Sequence, residues 1–110
     1  MAVLTKQTTT RAGIVPTYAS CAAGGDEFAN DGGQFIHVKN GSGADKTVTI
    51  GTPKTVDGLA VADRAVVVAA NSEKMCGPFP PSTYNDGDGF VQLTYSSETS
   101  MTIAVVEQGA

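Results

Sequence analysis

Two glycines, two acids and a phenylalanine, Gly24-Gly25-Asp26-Glu27-Phe28, are the residues of this chain most suggestive of chemistry. Glycine lets a backbone approach a ligand closely, and neighbouring carboxylates can hold a divalent ion. A second stretch, Asn85-Asp86-Gly87-Asp88-Gly89, offers oxygen ligands of the kind calcium takes. A calcium loop of the EF-hand type needs a glutamate further on, and Phe90 to Thr94 supply none, so the stretch reads as a surface turn leading into a strand. His37 is the only histidine, and with Cys21 and Cys76 it has too few partners for a zinc ligand set. With no nucleophile placed beside it, His37 reads as an exposed or interface residue rather than half of a dyad. The cysteines read as buried thiols, with pairing in an oxidising setting the alternative. Gly41-Ser42-Gly43 lacks the lysine of a phosphate-binding loop and reads as a turn. No catalytic, cofactor-binding or metal-ligating residue is assigned.

The first pentapeptide resembles the signature of diguanylate cyclases. That resemblance implies a hairpin in a mixed α/β domain, with glycines against a guanine nucleotide and acids handling metal. Such domains are much longer than 110 residues, and a motif starting at Gly24 leaves no room upstream for the strand and helices they require. The same letters, followed by Asn30-Asp31-Gly32-Gly33, read as two glycine-rich turns around a short extended piece. On this reading Phe28 packs inward, and replacing Asp26 and Glu27 is expected to leave function nearly intact.

The length permits one domain with one core. Its apolar residues are small or β-branched, 14 Ala and 12 Val against 3 Leu, with 13 Thr beside them, a bias that favours sheet over helix. Charged residues make up only 16%, and the net charge of −4 offers no basic footprint for nucleic acid and no attraction to an acidic membrane. The opening Met1 to Gln7 has no apolar core of signal-peptide length, so the expectation is a soluble protein made in the cytoplasm.

Alternation marks the elements. Gln34–Asn40 and Lys46–Thr52 place Ile36, Val38, Val48 and Ile50 on apolar faces and are expected to form a hairpin through Gly41–Asp45. Phe90–Ser96 and Thr99–Val106 repeat the pattern, with Ser96–Glu98 as a second hairpin link. The unbroken apolar run Arg64–Ala70 predicts a strand covered on both faces. Further strands are expected within Gly13–Ala22 and Glu73–Phe79, and at most one short helix, for which Val56–Ala65 is the strongest candidate. These elements predict an all-β fold: a single-domain antiparallel β-sandwich, jelly-roll-like or immunoglobulin-like, over residues 13–110, with an extended N-terminal arm over 1–12 that needs a partner to become ordered.

In Gly77-Pro78-Phe79-Pro80-Pro81-Ser82-Thr83-Tyr84, three prolines stiffen the chain and two aromatics are presented, either as a core plug or as a contact loop. Taken with Asp26–Gly32, Phe35–Gly41, Thr47–Ile50, Tyr84-Asn85-Asp86 and Val91–Ser96, this order of elements is similar to small structural proteins of tailed bacteriophages encoded near the major capsid protein. The resemblance covers roughly residues 13–106. It implies a virion protein on the head surface, most like a capsid decoration or cement protein, with a tail or neck component as the alternative. Its implied partners are the major capsid protein and neighbouring copies of itself as a dimer or trimer. The candidate contact residues are Lys6 and Arg11 on the arm, and Phe79, Pro80, Pro81 and Tyr84 on the loop. A sandwich module that binds carbohydrate is the reading from another class, disfavoured by the absence of Trp.

Overall fold

In a computed structural model describing residues 2–53 and 55–109, the chain is a β-sandwich. Its elements are β1 (Ala2–Leu4), β2 (Lys6–Thr8), β3 (Ala19–Ser20), β4 (Asp26–Ala29), β5 (Gln34–Asn40), β6 (Lys46–Ile50), β7 (Thr55–Val56), β8 (Leu59–Ala60), β9 (Arg64–Val68), β10 (Ser72–Cys76), α1 (Pro81–Tyr84), β11 (Phe90–Tyr95) and β12 (Met101–Glu107). One sheet runs β1-β4-β11-β6-β9; the other runs β10-β5-β12-β2, with β3 also on β12. Between them lie Phe28, Val48, Ile50, Val68, Val91 and Leu93 from the first sheet, and Ile36, Val38, Met101, Ile103 and Val105 from the second. These are the inward positions that alternation marks. Strand β5 buries every second residue along its whole length.

Neither expected hairpin forms. Strands β5 and β6 lie in opposite sheets, as do β11 and β12, so Gly41–Asp45 and Ser96–Ser100 cross the core instead of turning within a sheet. Asn40 directs the first crossing. Its side-chain amide donates to the carbonyls of Val68 at 3.0 Å and Ala44 at 2.8 Å, while its oxygen accepts from the Ser42 amide at 3.0 Å, tying the end of β5 to β9 of the other sheet. The second crossing is held where Ser96 and Thr47 exchange two hydrogen bonds of 2.9 Å, fixing the end of β11 against β6.

The N-terminal segment also departs from expectation. Residues 2–8 are extended, as an arm would be, but they pair within the chain: β1 runs parallel to β4 and β2 parallel to β12, which makes both sheets mixed. Leu4 reaches the core, and the ladder hydrogen bonds supply the order that a partner was expected to bring. Strand β9 is an edge strand with Val67 49% exposed, not a strand covered on both faces. Only Ala19–Ser20 of the 13–22 segment is a strand. The expected helix over 56–65 is replaced by the small β7–β8 hairpin, because Asp57 and Gly58 take positive φ values of 53° and 76°, the dihedral pattern of a tight two-residue turn. The helix that does form, Pro81–Tyr84, starts on a proline, which suits a first-turn position.

Candidate functional site

The stretch at Gly24 is architecture. A strand points successive side chains to opposite faces, so Asp26 and Glu27 diverge and cannot jointly hold one ion. Asp26 lies in the core at 0% exposure, and Glu27 points outward, where it accepts from the Gln92 amide at 2.9 Å. One Asp26 oxygen, Oδ2, accepts from the Tyr95 hydroxyl at 2.6 Å and from the Ala22 amide at 3.2 Å; Oδ1 has no partner among the described residues. Replacing Asp26 would therefore disturb a buried network, whereas Glu27 lies on the outer face. Burial and the hydrogen bond to Asp26 push the Tyr95 phenol up, and burial pushes the neighbouring Cys21 thiol up from 9.0 to about 11. Gly25, at φ 94°, lies so close to β11 that a Cβ would run into the carbonyl oxygen of Leu93. Phe28 is fully buried against Phe79.

The second acidic stretch is a turn. Asp86 accepts from the amides of Asp88 at 2.9 Å and Phe90 at 3.0 Å, and from the Gln92 side chain at 2.8 Å, bonds that hold its carboxyl below the usual carboxylate range. Asn85 exchanges two 2.7 Å hydrogen bonds with Asn30. Among the described residues no group of three or more His, Cys, Asp and Glu side chains is gathered as metal ligands. Both cysteines are free thiols, Cys21 buried and Cys76 half-buried.

The candidate contact residues fall into two places. At the N-terminal edge, Lys6 pairs with Glu107 at 3.1 Å. The Thr8 hydroxyl, Lys6 and the Gln34 amide together hold the Glu107 carboxyl below its ordinary range. Arg11 is exposed in a tight turn closed by the Gly13 amide on the Thr10 carbonyl. In the proline-rich loop, Phe79 is the plug: it is 3% exposed, with its ring against Phe28 and edge-on to Tyr84. Pro80 and Pro81 are exposed, and the Tyr84 hydroxyl accepts from Arg64 Nε at 3.1 Å. The loop is moored by Asn30, whose amide donates to the Phe79 carbonyl at 2.8 Å.

A third place was not visible in sequence. Residues 9–18 run across the outer face of the second sheet, pinned where Gln7 and Thr17 exchange two hydrogen bonds of 2.7 Å. Beneath this strap is a groove of about 330 Å³, lined by Ile14, Pro16, Tyr18, Phe35, Met75 and Val106 among others. His37 stands at its wall, hydrogen-bonded through Nδ1 to the Tyr18 hydroxyl and through Nε2 to Glu73 at 2.9 Å, while the Lys39 ammonium lies 4.0 Å from the centre of the Tyr18 ring. Both ring nitrogens are thus engaged, and His37 is half-buried rather than free at the surface. The signal that could have revealed the strap is the outward apolar phase of Phe35, Ala104 and Val106, which only a covered outer face explains.

No family model, curated protein or solved structure matches the chain.

Proposed function

We propose that this chain is a structural virion protein, a decoration or cement protein that sits on the outside of a phage head and ties capsomers together. The reading rests on the order of elements in the sequence, and one observation of surface chemistry supports it. The N-terminal segment that completes both sheets also displays apolar side chains to solvent. Val3 is 62% exposed beside Thr17 and Ala19, and Val15 is 91% exposed just before them. A large aliphatic side chain at that exposure gains apolar burial only on contact with another surface. Weak contacts of this kind, repeated on a symmetric lattice, add through avidity. Pro80 and Pro81 present a second, stiff contact on the loop.

Removing the arm is a poor test, since it would strip an edge strand from each sheet. Point changes are cleaner. The protein should be found by mass spectrometry in purified virions of the phage whose genome encodes it, and it should co-sediment with the heads. Val3→Glu and Val15→Glu should reduce that occupancy while leaving the circular dichroism spectrum unchanged. Absence from virions would overturn the proposal, and full occupancy by both variants would remove the N-terminal edge from it. The groove walled by Tyr18, Phe35 and His37 favours a second reading, a sandwich module that binds a carbohydrate; a glycan array separates the two.

A further inference from the structure

Lys6, Gln34 and Glu107 come together where β2, β12 and β5 lie side by side in the second sheet. Thr8 and Gln34 are the cross-strand partners of Glu107 on its two sides, and Lys6 shares the face of Thr8. One carboxylate oxygen of Glu107 receives both the Lys6 ammonium at 3.1 Å and the Gln34 amide nitrogen at 2.7 Å, while the other accepts from the Thr8 hydroxyl at 2.8 Å. The carbonyl oxygen of the Gln34 side chain accepts from the Asp31 backbone amide at 2.8 Å. These two partners fix which way the carboxamide faces, because a backbone N–H only donates and an ionised carboxylate only accepts. Gln34 is 1% exposed, so bulk water has little access to it. The cluster thus holds a primary amine, a carboxamide whose oxygen already faces a backbone N–H, and a carboxylate touching both nitrogens. Those are the parts needed to exchange one amide for another.

We propose that Lys6 and Gln34 join in an intramolecular isopeptide bond, with Glu107 carrying the proton and the Asp31 amide receiving the oxyanion. Glu107 takes one proton from the Lys6 ammonium, and the neutral Nζ attacks Gln34 Cδ. The carbonyl electron pair moves onto the oxygen that faces the Asp31 N–H. The Nζ–Cδ bond forms and the Cδ–Nε2 bond breaks; Glu107 passes its proton to Nε2, Nζ gives up a second, and the nitrogen leaves as ammonium. A lysine ammonium and a primary amide become a secondary amide and an ammonium ion, so atoms and charge balance with no co-reactant. Gln34 is the acyl donor and Glu107 is not, because an ionised carboxylate resists a nucleophile. Sharing one acceptor oxygen keeps the two nitrogens within about 6 Å of each other, and the half-exposed lysine stem has room to close that gap. Holding the reactants together in this way replaces a bimolecular encounter. The bond would close a covalent ring through residues 6–34 and tie β2 to β5 across β12, so that the N-terminal segment cannot peel from the sandwich. It does not depend on the virion reading.

The test uses the full chain, incubated at neutral and at alkaline pH. Intact-mass spectrometry should show a species lighter than the sequence mass by one ammonia, forming faster at the higher pH because the neutral amine is the nucleophile. Trypsin should no longer cut after Lys6 in that species, and should release a branched peptide joining residues 1–11 to residues 12–39. Lys6→Arg keeps a positive charge beside Glu107 and should abolish the loss of mass. Glu107→Gln should slow it by about a hundredfold or more, the range of a positioned acid or base, with an unchanged circular dichroism spectrum. A wild-type chain that keeps its full sequence mass through the alkaline incubation would overturn the proposal. So would an ammonia loss that survives Lys6→Arg, which would place it at another amide such as Asn40 before Gly41, or a Glu107→Gln chain that reacts at the wild-type rate.

Discussion

Changing Tyr95 to Phe removes one oxygen atom and should destabilise the protein far more than the loss of an ordinary surface hydrogen bond. The hydroxyl donates to Asp26 Oδ2 at 2.6 Å, a short hydrogen bond inside the core. Asp26 has 0% exposure, its other oxygen is unpartnered, and its remaining donor is the Ala22 amide at 3.2 Å. Leaving a buried polar group without its partner costs about 1–3 kcal/mol. The expected loss for Tyr95→Phe is therefore about 2 kcal/mol, a large share of the roughly 5–15 kcal/mol typical of a domain. With a urea m-value of about 1–3 kcal/mol/M, the unfolding midpoint should fall by on the order of 1 M at constant slope. In an Asp26→Ala background the acceptor is gone, and Tyr95→Phe should cost less than about 1 kcal/mol. The coupling between the two sites is then at least about 1 kcal/mol. A Tyr95→Phe midpoint close to that of wild type, or strict additivity in the cycle, would refute the claim that the Tyr95 hydroxyl is what satisfies the buried Asp26 carboxyl.

Three further outcomes follow from the same core. The Cys21 thiol is raised to about 11 in the folded state from an ordinary 9.0, so its contribution is fully present below about pH 9 and is lost as pH rises toward 11. Urea midpoints should fall over that window by an amount equivalent to up to about 2–3 kcal/mol, and Cys21→Ala should flatten the fall; a midpoint constant from pH 8 to about pH 10.5 would contradict this. Gly77 has φ 140°, and a Cβ there would lie 2.6 Å from the Cβ of Phe35, so Gly77→Ala should cost about 2 kcal/mol or more in thermal or urea unfolding. Asn40→Ala removes the bonds that bring β5 across to β9 and should cost about 2–4 kcal/mol, with faster amide exchange at Ser42 as the local sign.

The inward residues were legible in the sequence, and the pairing was not. Alternation located β5 at its true ends and placed Val91, Leu93, Met101 and Ile103 in the core. A strand presents the same alternation whether the next strand lies beside it or across the sandwich, so Gly41–Asp45 read as a hairpin link. What decides otherwise is Asn40, a polar residue in the inward phase of β5, whose hydrogen bonds reach the opposite sheet. Asp26 carried the same kind of signal. It lies two positions before Phe28 on one strand and so shares its face, but its residue type suggested an outward position. Strands β1 and β2 are three residues each, too short for any period, and their partners β4 and β12 lie far along the chain.

The crossings also determine which surfaces remain available. Because β1 leads directly into β2, the N-terminal segment closes the same side of both sheets and continues as the strap over the outer face of the second, covering Phe35, Ala104 and Val106. On the opposite side the short link from β9 to β10 joins the two other rims, and no strand among the described residues lies outside them. One side of the sandwich is thus bounded by the chain's own N-terminus with Val3 and Val15 exposed, while the other ends in an open valine edge. A contact made through the first side leaves the β9 edge untouched, so Val15→Glu and Val67→Lys probe two separate surfaces of the sandwich and should each leave the circular dichroism spectrum unchanged.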